Sequence, residues 1–297
     1  MIYLIHIYRC FKNFIKFPIQ FLSSFKNDFR KDFMNKKLRP GLNVVVIGLP
    51  KSGTTMIEEI LSEVGFVNQA NSILRLFDDR NLKHHHDLSE DMFRRIPKNK
   101  NTFLKRHSEA LERNLEIIEK YNFKTFVSIR NLLDVMISRY LHLSNDNTQP
   151  QYRIYSKYSL LDGFKISLIK NHRENQIPIN YFEDWIENWQ KILLKKKIFC
   201  LLDYDSYTKD KFMYFEKIFN FLEIDKSNLK EIIYIHENKK KVLNKKTFKS
   251  NLKKNLYRQT LNNKSSEVRK IIKSNQDVIK FFNSKVKHPH NRYEINL

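Results

Sequence analysis

Asn43–Thr55, with the sequence NVVVIGLPKSGTT, decides the fold of this chain. Residues 44–47 are a β-branched run that ends at Gly48, and such a run predicts a buried strand. From Met56 to Val64, apolar residues recur at helical spacing with glutamates on the other side, which predicts an amphipathic helix. A strand, a tight polar loop and a helix in this order point backbone N–H groups at an anion. The stretch therefore predicts a phosphate-binding loop.

The loop departs from the usual nucleoside-triphosphate loop, G-x-x-x-x-G-K-[ST]. Gly48 and Gly53 keep the spacing of its two glycines, but Thr54 occupies the position of its lysine. The lysine of this chain lies inside the loop, at Lys51. A cation there suits a ligand whose group is transferred off a 5′-phosphate. The alternative is a strand–helix turn that binds nothing, which the agreement of motif, strand and helix disfavours.

Further short apolar runs end in polar residues. Thr102–His107 predicts a strand that ends in Lys-Arg-His. Residues 125–129 predict a second strand, which ends at Arg130. Residues 198–202 predict a third, which leads into Asp203-Tyr204-Asp205. Strands that alternate with helices predict a parallel sheet covered on both faces. The sequence therefore predicts an α/β fold, a three-layer αβα sandwich with a central parallel sheet, over residues 41–297.

Two helices begin with the pattern of a capping box, in which two side chains each bond the other residue's backbone N–H group. One is predicted over residues 131–143, with Asn131 and Asp134 as the box. The other is predicted over residues 180–194, with Asn180 and Glu183 in these roles.

Apolar spacing assigns buried faces to four predicted helices. The faces comprise Leu111, Leu115 and Ile118 in a helix over 108–121; Tyr181, Trp185 and Trp189 in the helix over 180–194; Phe212, Phe215, Ile218, Phe219 and Leu222 in a helix after Asp205; and Val268, Ile271, Ile272, Val278 and Ile279 in a last helix over 265–282.

The loop at Pro50–Thr55 resembles the 5′-phosphosulfate loop of the sulfotransferases that use 3′-phosphoadenosine 5′-phosphosulfate (PAPS). The stretch from Arg130 to Ser138 resembles the 3′-phosphate motif of that family and keeps its Arg-to-Ser spacing. It departs from the motif at Leu132 and Leu133, where the family usually has Pro and Arg. The resemblance covers about residues 43–260 and implies the P-loop nucleotide-hydrolase-like fold of the sulfotransferase type.

The resemblance also implies roles for individual residues. The triplet Lys105-Arg106-His107 is similar to the Lys-Thr-His triplet of the cytosolic-type enzymes, whose histidine is the catalytic base. His107 would take the acceptor proton, Lys105 would steady the sulfuryl oxygens, and Lys51 would stabilise the leaving group. The implied nucleotide-binding residues are Lys51, Ser52, Gly53, Thr54, Thr55, Arg130, Ser138, Tyr204 and Lys249.

Some of these assignments have structural alternatives. Tyr204 is equally explained as a packed tyrosine, and His107 as a structural histidine. Lys249 and Arg258 are only the nearest matches to the Arg-Lys-Gly segment that closes over the 3′-phosphate in the family. The run His84-His85-His86 predicts an exposed loop, because adjacent side chains do not converge on a metal.

Residues 1–40 form a separate basic amphipathic segment. Its apolar run is interrupted too early to span a membrane, and its charges follow the run, unlike those of a cleavable signal. The pattern fits either a helix lying on an anionic membrane or a helix packed on the domain. Cys10 and Cys200 are the only cysteines and form neither a disulfide framework nor a zinc site. We therefore expect a cytoplasmic protein, peripheral at a membrane if the first 40 residues bind lipid.

The sequence thus predicts a sulfotransferase that moves a sulfuryl group from PAPS to an acceptor hydroxyl without a metal. A carbohydrate acceptor is a family-level expectation that suits the formal net charge of +23. One alternative is a deviant phosphate-loop kinase that uses ATP and magnesium, with Asp203 and Asp205 as its carboxylates. Another is a basic membrane- or polyanion-binding protein with a vestigial nucleotide loop. No signature of specific nucleic-acid recognition accompanies the charge.

Overall fold

A computed structural model describes residues 38, 41–68, 87–90, 100–146, 151–169, 178–193, 198–246 and 266–287, with backbone alone from 239 to 246. The predictions made for residues 1–37, for the three adjacent histidines, and for Lys249 and Arg258 lie outside these ranges. Within them, no helix combines the length and the apolar character that crossing a membrane requires.

The centre of the molecule is a five-stranded sheet in which every pair of neighbouring strands is parallel. Its spatial order is β2-β3-β1-β4-β5. The strands are β1 (Asn43–Gly48), β2 (Val67–Asn68), β3 (Thr102–Arg106), β4 (Lys124–Ile129) and β5 (Phe199–Asp203). The parallel central sheet predicted from the sequence is confirmed.

Helices connect the strands and cover both faces of the sheet. They are α1 (Thr54–Val64), α2 (Glu112–Lys120), α3 (Leu132–Asn145), α4 (Tyr152–Tyr155), α5 (Leu160–Leu168), α6 (Ile179–Leu193), α7 (Tyr204–Lys209), α8 (Lys211–Leu222), α9 (Leu229–Lys246) and α10 (Gln276–Asn283), and residues 266–274 are also helical.

Strand β1 separates two apolar cores because its side chains alternate between the faces of the sheet. Val45 and Ile47 belong to the core beneath α3 and α6, whereas Val44 and Val46 belong to the core beneath α1 and α8. All four side chains are fully buried, as expected for a parallel strand covered on both sides. The three-layer αβα arrangement is thereby confirmed.

Neither predicted capping box forms: Asn180 lies inside α6 instead of capping it, and in both boxes the acidic residue bonds elsewhere. Asn131 does cap α3, since its side chain accepts from the Asp134 N–H at 3.3 Å. The Asp134 carboxylate, however, accepts from Arg269 and Lys273, each at 2.9 Å, because the C-terminal helical segment packs there. In α6, which begins at Ile179, the Glu183 carboxylate accepts from the Lys287 N–H at 2.8 and 3.0 Å instead.

Three residues predicted to be buried are exposed. Leu111 precedes α2, because this helix begins at Glu112 rather than at residue 108. Phe212 lies in the first turn of α8, where the Asp210 cap fixes the helix start and turns Tyr214 inward in its place.

The predicted C-terminal helix is interrupted at Asn275, and the third exposed residue, Ile271, lies in the segment before the break. The Asn275 side chain accepts from the Val278 N–H at 2.9 Å and starts a new helix, α10. Ile272 and Val278, on the two sides of the break, are fully buried as predicted.

Candidate active site

The register of the sheet gathers the polar strand ends at one edge. Gly48 pairs with Ser128 across β1 and β4, and Ile129 pairs with Asp203 across β4 and β5. Ile47 pairs with Arg106 across β1 and β3, so His107 and Gly48 follow at adjacent positions. Because the carboxyl ends of parallel strands meet at one edge, this is where such folds bind ligands.

The loop after β1 is held by buried hydrogen bonds. The Ser52 hydroxyl and N–H both donate to the Leu49 carbonyl, at 2.8 and 3.1 Å. The Ser128 hydroxyl of β4 donates to the Ser52 carbonyl at 2.7 Å. Both serines are fully buried. Ser128 was not singled out in the sequence, and its only signal there is a small polar residue within an apolar strand.

Two residues of the loop adopt the left-handed backbone conformation. Lys51 has a φ of 75°, which is uncommon for a residue with a Cβ atom and marks a constrained turn. Its carbonyl accepts from the Arg130 guanidinium at 3.2 Å. Gly53 has a φ of 99°, and a Cβ atom there would lie 2.3 Å from the Tyr204 ring. The loop therefore needs a glycine at this position both for its backbone and for space.

The N-terminus of α1 presents backbone donors to the site. Gly53 is its cap residue and supplies no side-chain cap. The Met56 N–H donates to the Gly53 carbonyl at 3.0 Å, whereas the N–H groups of Thr54 and Thr55 have no acceptor within the described ranges. Free N–H groups at a helix start, together with the helix dipole, favour an anion. The backbone of the loop therefore presents N–H donors at the start of α1, as a phosphate-binding loop requires.

Arg130 connects the loop to the end of β5. Its guanidinium carbon lies 4.4 Å from the centre of the Tyr204 ring, a stacked cation–π contact. Its Nε atom is buried and has no hydrogen-bond partner within the described part of the chain. A buried donor without an acceptor is costly unless a ligand satisfies it. The sequence placed both residues at the nucleotide, and the structure brings them together beside the loop.

His107 is held in place by a contact with the last residue of β1. Its Nδ1 atom contacts the Gly48 carbonyl oxygen at hydrogen-bond distance. A carbonyl oxygen only accepts, so Nδ1 carries the proton. In the neutral ring, Nε2 is then the nitrogen that carries no proton. The contact selects the tautomer that a proton acceptor needs.

Lys105 points to a different partner. Its ammonium donates to the Glu58 carboxylate of α1 at 2.5 Å, and the other oxygen of Glu58 accepts from the Asn68 amide at 3.3 Å. Lys105 and Glu58 are both partly buried, so solvent screens this ion pair only in part. In the structure, Lys105 therefore lies beside α1.

The remaining predicted residues have different surroundings. Thr54 is buried and Thr55 is exposed, although both belong to the first turn of α1. Ser138 is partly buried on α3. Arg269, which the sequence did not single out, pairs with Asp134 and is close enough to Arg130 for the two charges to interact.

The two carboxylates of the kinase alternative are engaged in local structure. Asp203 caps α7, accepting from the Asp205 N–H at 3.0 Å and the Ser206 hydroxyl at 3.2 Å. Asp205 accepts from the Asn131 N–H at 3.4 Å. Burial and the neighbouring Asp203 raise the pKa of Asp205 above its ordinary value. No cluster of three or more metal-ligating side chains is found in the part of the chain that the structure describes.

A parallel αβα sheet with a glycine-containing loop between its first strand and the following helix is an arrangement in which nucleotide-binding proteins hold phosphate groups. A family model described as the sulfotransferase domain matches residues 42–286. The chain therefore belongs to the sulfotransferase domain family, and it is a PAPS-dependent sulfotransferase acting on a hydroxyl-bearing acceptor. No curated protein sequence matches the chain.

Solved structures similar to this chain include mouse sulfotransferase SULT7A1 complexed with PAP, which is adenosine 3′,5′-bisphosphate. The identity is 18% and the TM-score 0.45, and the match covers 69% of this chain and 67% of that one. Retinol dehydratase complexed with retinol and PAP has 17% identity and a TM-score of 0.43, covering 69% and 66%. Retinol dehydratase in complex with androsterone and inactive cofactor PAP has 15% identity and a TM-score of 0.47, covering 89% and 85%. The family membership rests on the family model alone.

The loop geometry predicts that Gly53→Ala weakens binding of adenosine 3′,5′-bisphosphate (PAP) at least tenfold, because the new methyl group must displace the Tyr204 ring. Gly65→Ala is the matched control: Gly65 ends the same helix with a φ of 107°. Its left-handed strain should cost about 1 kcal/mol of stability and leave binding unchanged. Calorimetric titration and thermal unfolding measure both effects. Equal loss of affinity in the two variants would contradict a specific role for Gly53.

Proposed function

We propose that His107 is the general base of the sulfuryl transfer. The observation that carries this proposal is the Nδ1 contact to the Gly48 carbonyl, which leaves Nε2 as the proton acceptor. A neutral imidazole suits the task because its unperturbed pKa lies near neutrality. The Gly48 carbonyl also fixes the ring beside the phosphate loop. Base and donor nucleotide would therefore occupy the same edge of the sheet.

In the proposed reaction, the acceptor hydroxyl oxygen attacks the sulfur of PAPS. The bond between sulfur and the oxygen of the 5′-phosphate breaks, and the hydroxyl proton moves to Nε2 of His107. Lys51 and the N–H groups of Gly53, Thr54 and Thr55 hold the 5′-phosphate and stabilise the charge that develops on it. The Ser52 N–H, which the sequence also assigned to the phosphate, donates to the Leu49 carbonyl instead. In-line positioning of the two oxygens supplies much of the remaining acceleration.

Lys105 is proposed to steady the sulfuryl oxygens during this step. In the structure, the Lys105 ammonium is paired with Glu58 of α1. The proposed role therefore requires Lys105 to leave Glu58 and bind the sulfuryl group. The exchange is favoured by charge. When PAPS binds, its sulfuryl group brings a second negative charge within reach of the partly buried Lys105 ammonium.

We propose that Arg130 and Ser138 bind the 3′-phosphate and that Tyr204 packs on the adenine. The unpartnered Nε of Arg130 supports an anion at this position, and the stacked pair of Arg130 and Tyr204 supports a planar ring beside it. Lys249 is proposed as a further contact to the 3′-phosphate from outside the described residues.

We further propose a carbohydrate acceptor, a cytoplasmic location and a peripheral membrane contact through residues 1–40, with 41–297 as the catalytic domain. The formal net charge of +23 supports affinity for acidic glycans and for anionic lipid alike. The interrupted apolar stripe of the first 40 residues supports an interfacial helix.

The role of His107 predicts that His107→Ala lowers kcat roughly 10²- to 10⁴-fold while the affinity for PAP changes little. His107→Asn is the sharper variant, because its side-chain amide can still donate to the Gly48 carbonyl but cannot act as a base. Both variants should show this loss of kcat, and His107→Asn should keep the stability of the wild type. A variant that retains most of its kcat would remove His107 from the mechanism and make Glu58 and Glu59 the next residues to test.

The role of Arg130 predicts that Arg130→Ala weakens PAP roughly ten- to a hundredfold, the loss of one charge-assisted contact. Adenosine 5′-diphosphate, which lacks the 3′-phosphate, should bind the variant as it binds the wild type. Calorimetric titration of the two nucleotides measures the difference. An equal loss for both would mean that Arg130 only holds the loop through the Lys51 carbonyl.

The membrane proposal predicts that the full chain binds vesicles containing anionic lipid and that added salt weakens the binding. A chain that starts at Leu42 should lose vesicle binding and keep its activity. If the full chain and the shortened chain sediment equally with vesicles, the membrane proposal is wrong and residues 1–40 are better explained as a helix packed on the domain.

A further inference from the structure

Arg139, on α3 directly after Ser138, is a partly buried cation. Its guanidinium carbon lies 5.5 Å from the centre of the Phe182 ring of α6. Its Nη1 atom is shielded from solvent and has no hydrogen-bond partner among the described residues. The hydroxyl of buried Tyr155 is close enough to interact with the guanidinium. Burial lowers the pKa of Arg139.

Within the described ranges, no carboxylate forms an ion pair with Arg139. Arg269, another partly buried arginine near α3, pairs with Asp134 at 2.9 Å. Buried charges are normally paired, because removing a charge from water costs more than packing returns. A cation–π contact with Phe182 compensates only part of this cost. Arg139 is therefore suited to receive a negative charge from a ligand.

The position of Arg139 points to the acceptor rather than to the nucleotide. Phe182 shares one face of α6 with Trp185, which follows it by three residues. The Trp185 indole N–H donates to the Ser108 carbonyl at 2.9 Å, and Ser108 directly follows His107. Arg139 and the segment after the proposed base therefore contact the same face of α6, at neighbouring turns.

We propose that Arg139 binds an anionic group of the acceptor, so that the preferred substrates are acidic molecules with a carboxylate or sulfate close to the reacting hydroxyl. The proposal rests on the role proposed for His107. A planar guanidinium forms two parallel hydrogen bonds to a carboxylate, which fixes its orientation as well as its distance. Such a contact would select among hydroxyl-bearing acceptors and place the hydroxyl at the base.

Matched pairs of simple acceptors test this proposal whatever the natural substrate is. One pair is 4-methylumbelliferyl β-D-glucuronide and the corresponding glucoside, which differ by a carboxylate in place of a hydroxymethyl group. The other is 4-hydroxybenzoate and phenol. Transfer of labelled sulfate from PAPS gives kcat/KM for each. We expect the acidic member of at least one pair to be preferred roughly 10- to 100-fold, mostly through KM.

Variants identify the side chain responsible. Arg139→Met removes the charge at similar length and should reduce the preference to within about twofold, while Arg139→Lys should keep part of it. Arg153→Met is the matched control, since Arg153 is an exposed arginine on neighbouring α4 and its loss removes the same net charge. This control should keep the full preference.

PAP binding, measured in parallel, separates failure of this inference from failure of the proposed nucleotide site. All three variants should bind PAP as the wild type does. The assignment would be overturned if the enzyme binds PAP but prefers the acidic member of neither pair. The same holds if it binds PAP and sulfates none of the four compounds. A preference that survives Arg139→Met would overturn it as well, and would leave Arg139 a packing residue.

Discussion

The absence of a side chain at Gly48 is the constraint on which the site depends. A Cβ atom there would lie 2.5 Å from the Thr54 methyl group, 2.7 Å from the Ser52 hydroxyl and 3.0 Å from the Ser128 carbonyl. The loop can therefore fold back over the end of β1 only because this residue is glycine. The Gly48 carbonyl also receives His107 from the neighbouring strand. One residue thus sets both the phosphate loop and the tautomer of the proposed base.

Much of this arrangement follows from the sequence because it depends on local patterns. The β-branched run before Gly48 and the apolar spacing after Thr55 fix a strand and a helix, and parallel strands then bring Arg130, Tyr204 and His107 to one edge. Register adds the detail: pairing of Ile129 with Asp203 makes the next residues, Arg130 and Tyr204, neighbours that stack.

The features that the sequence did not predict depend on contacts between distant segments. Asp134 has the spacing of a capping residue, but Arg269 and Lys273, more than 130 positions later, bind its carboxylate and outcompete a local N–H group. Glu183 is diverted in the same way by the Lys287 backbone. Ser128 carries only a weak local signal and Arg139 carries none, because their importance comes from a loop and a helix that pack on them.

The central claim is that the loop and Arg130 bind a nucleotide that carries a 3′-phosphate, and thermal unfolding of the wild-type protein with different nucleotides tests it most directly. At a hundred times its Kd, PAP should stabilise the protein without magnesium by about 2.7 kcal/mol, a melting shift of several degrees for a chain of this size. ATP and adenosine 5′-diphosphate should do much less. Greater stabilisation by ATP with magnesium than by PAP would contradict the account and favour a kinase, and no response to either would indicate a vestigial loop.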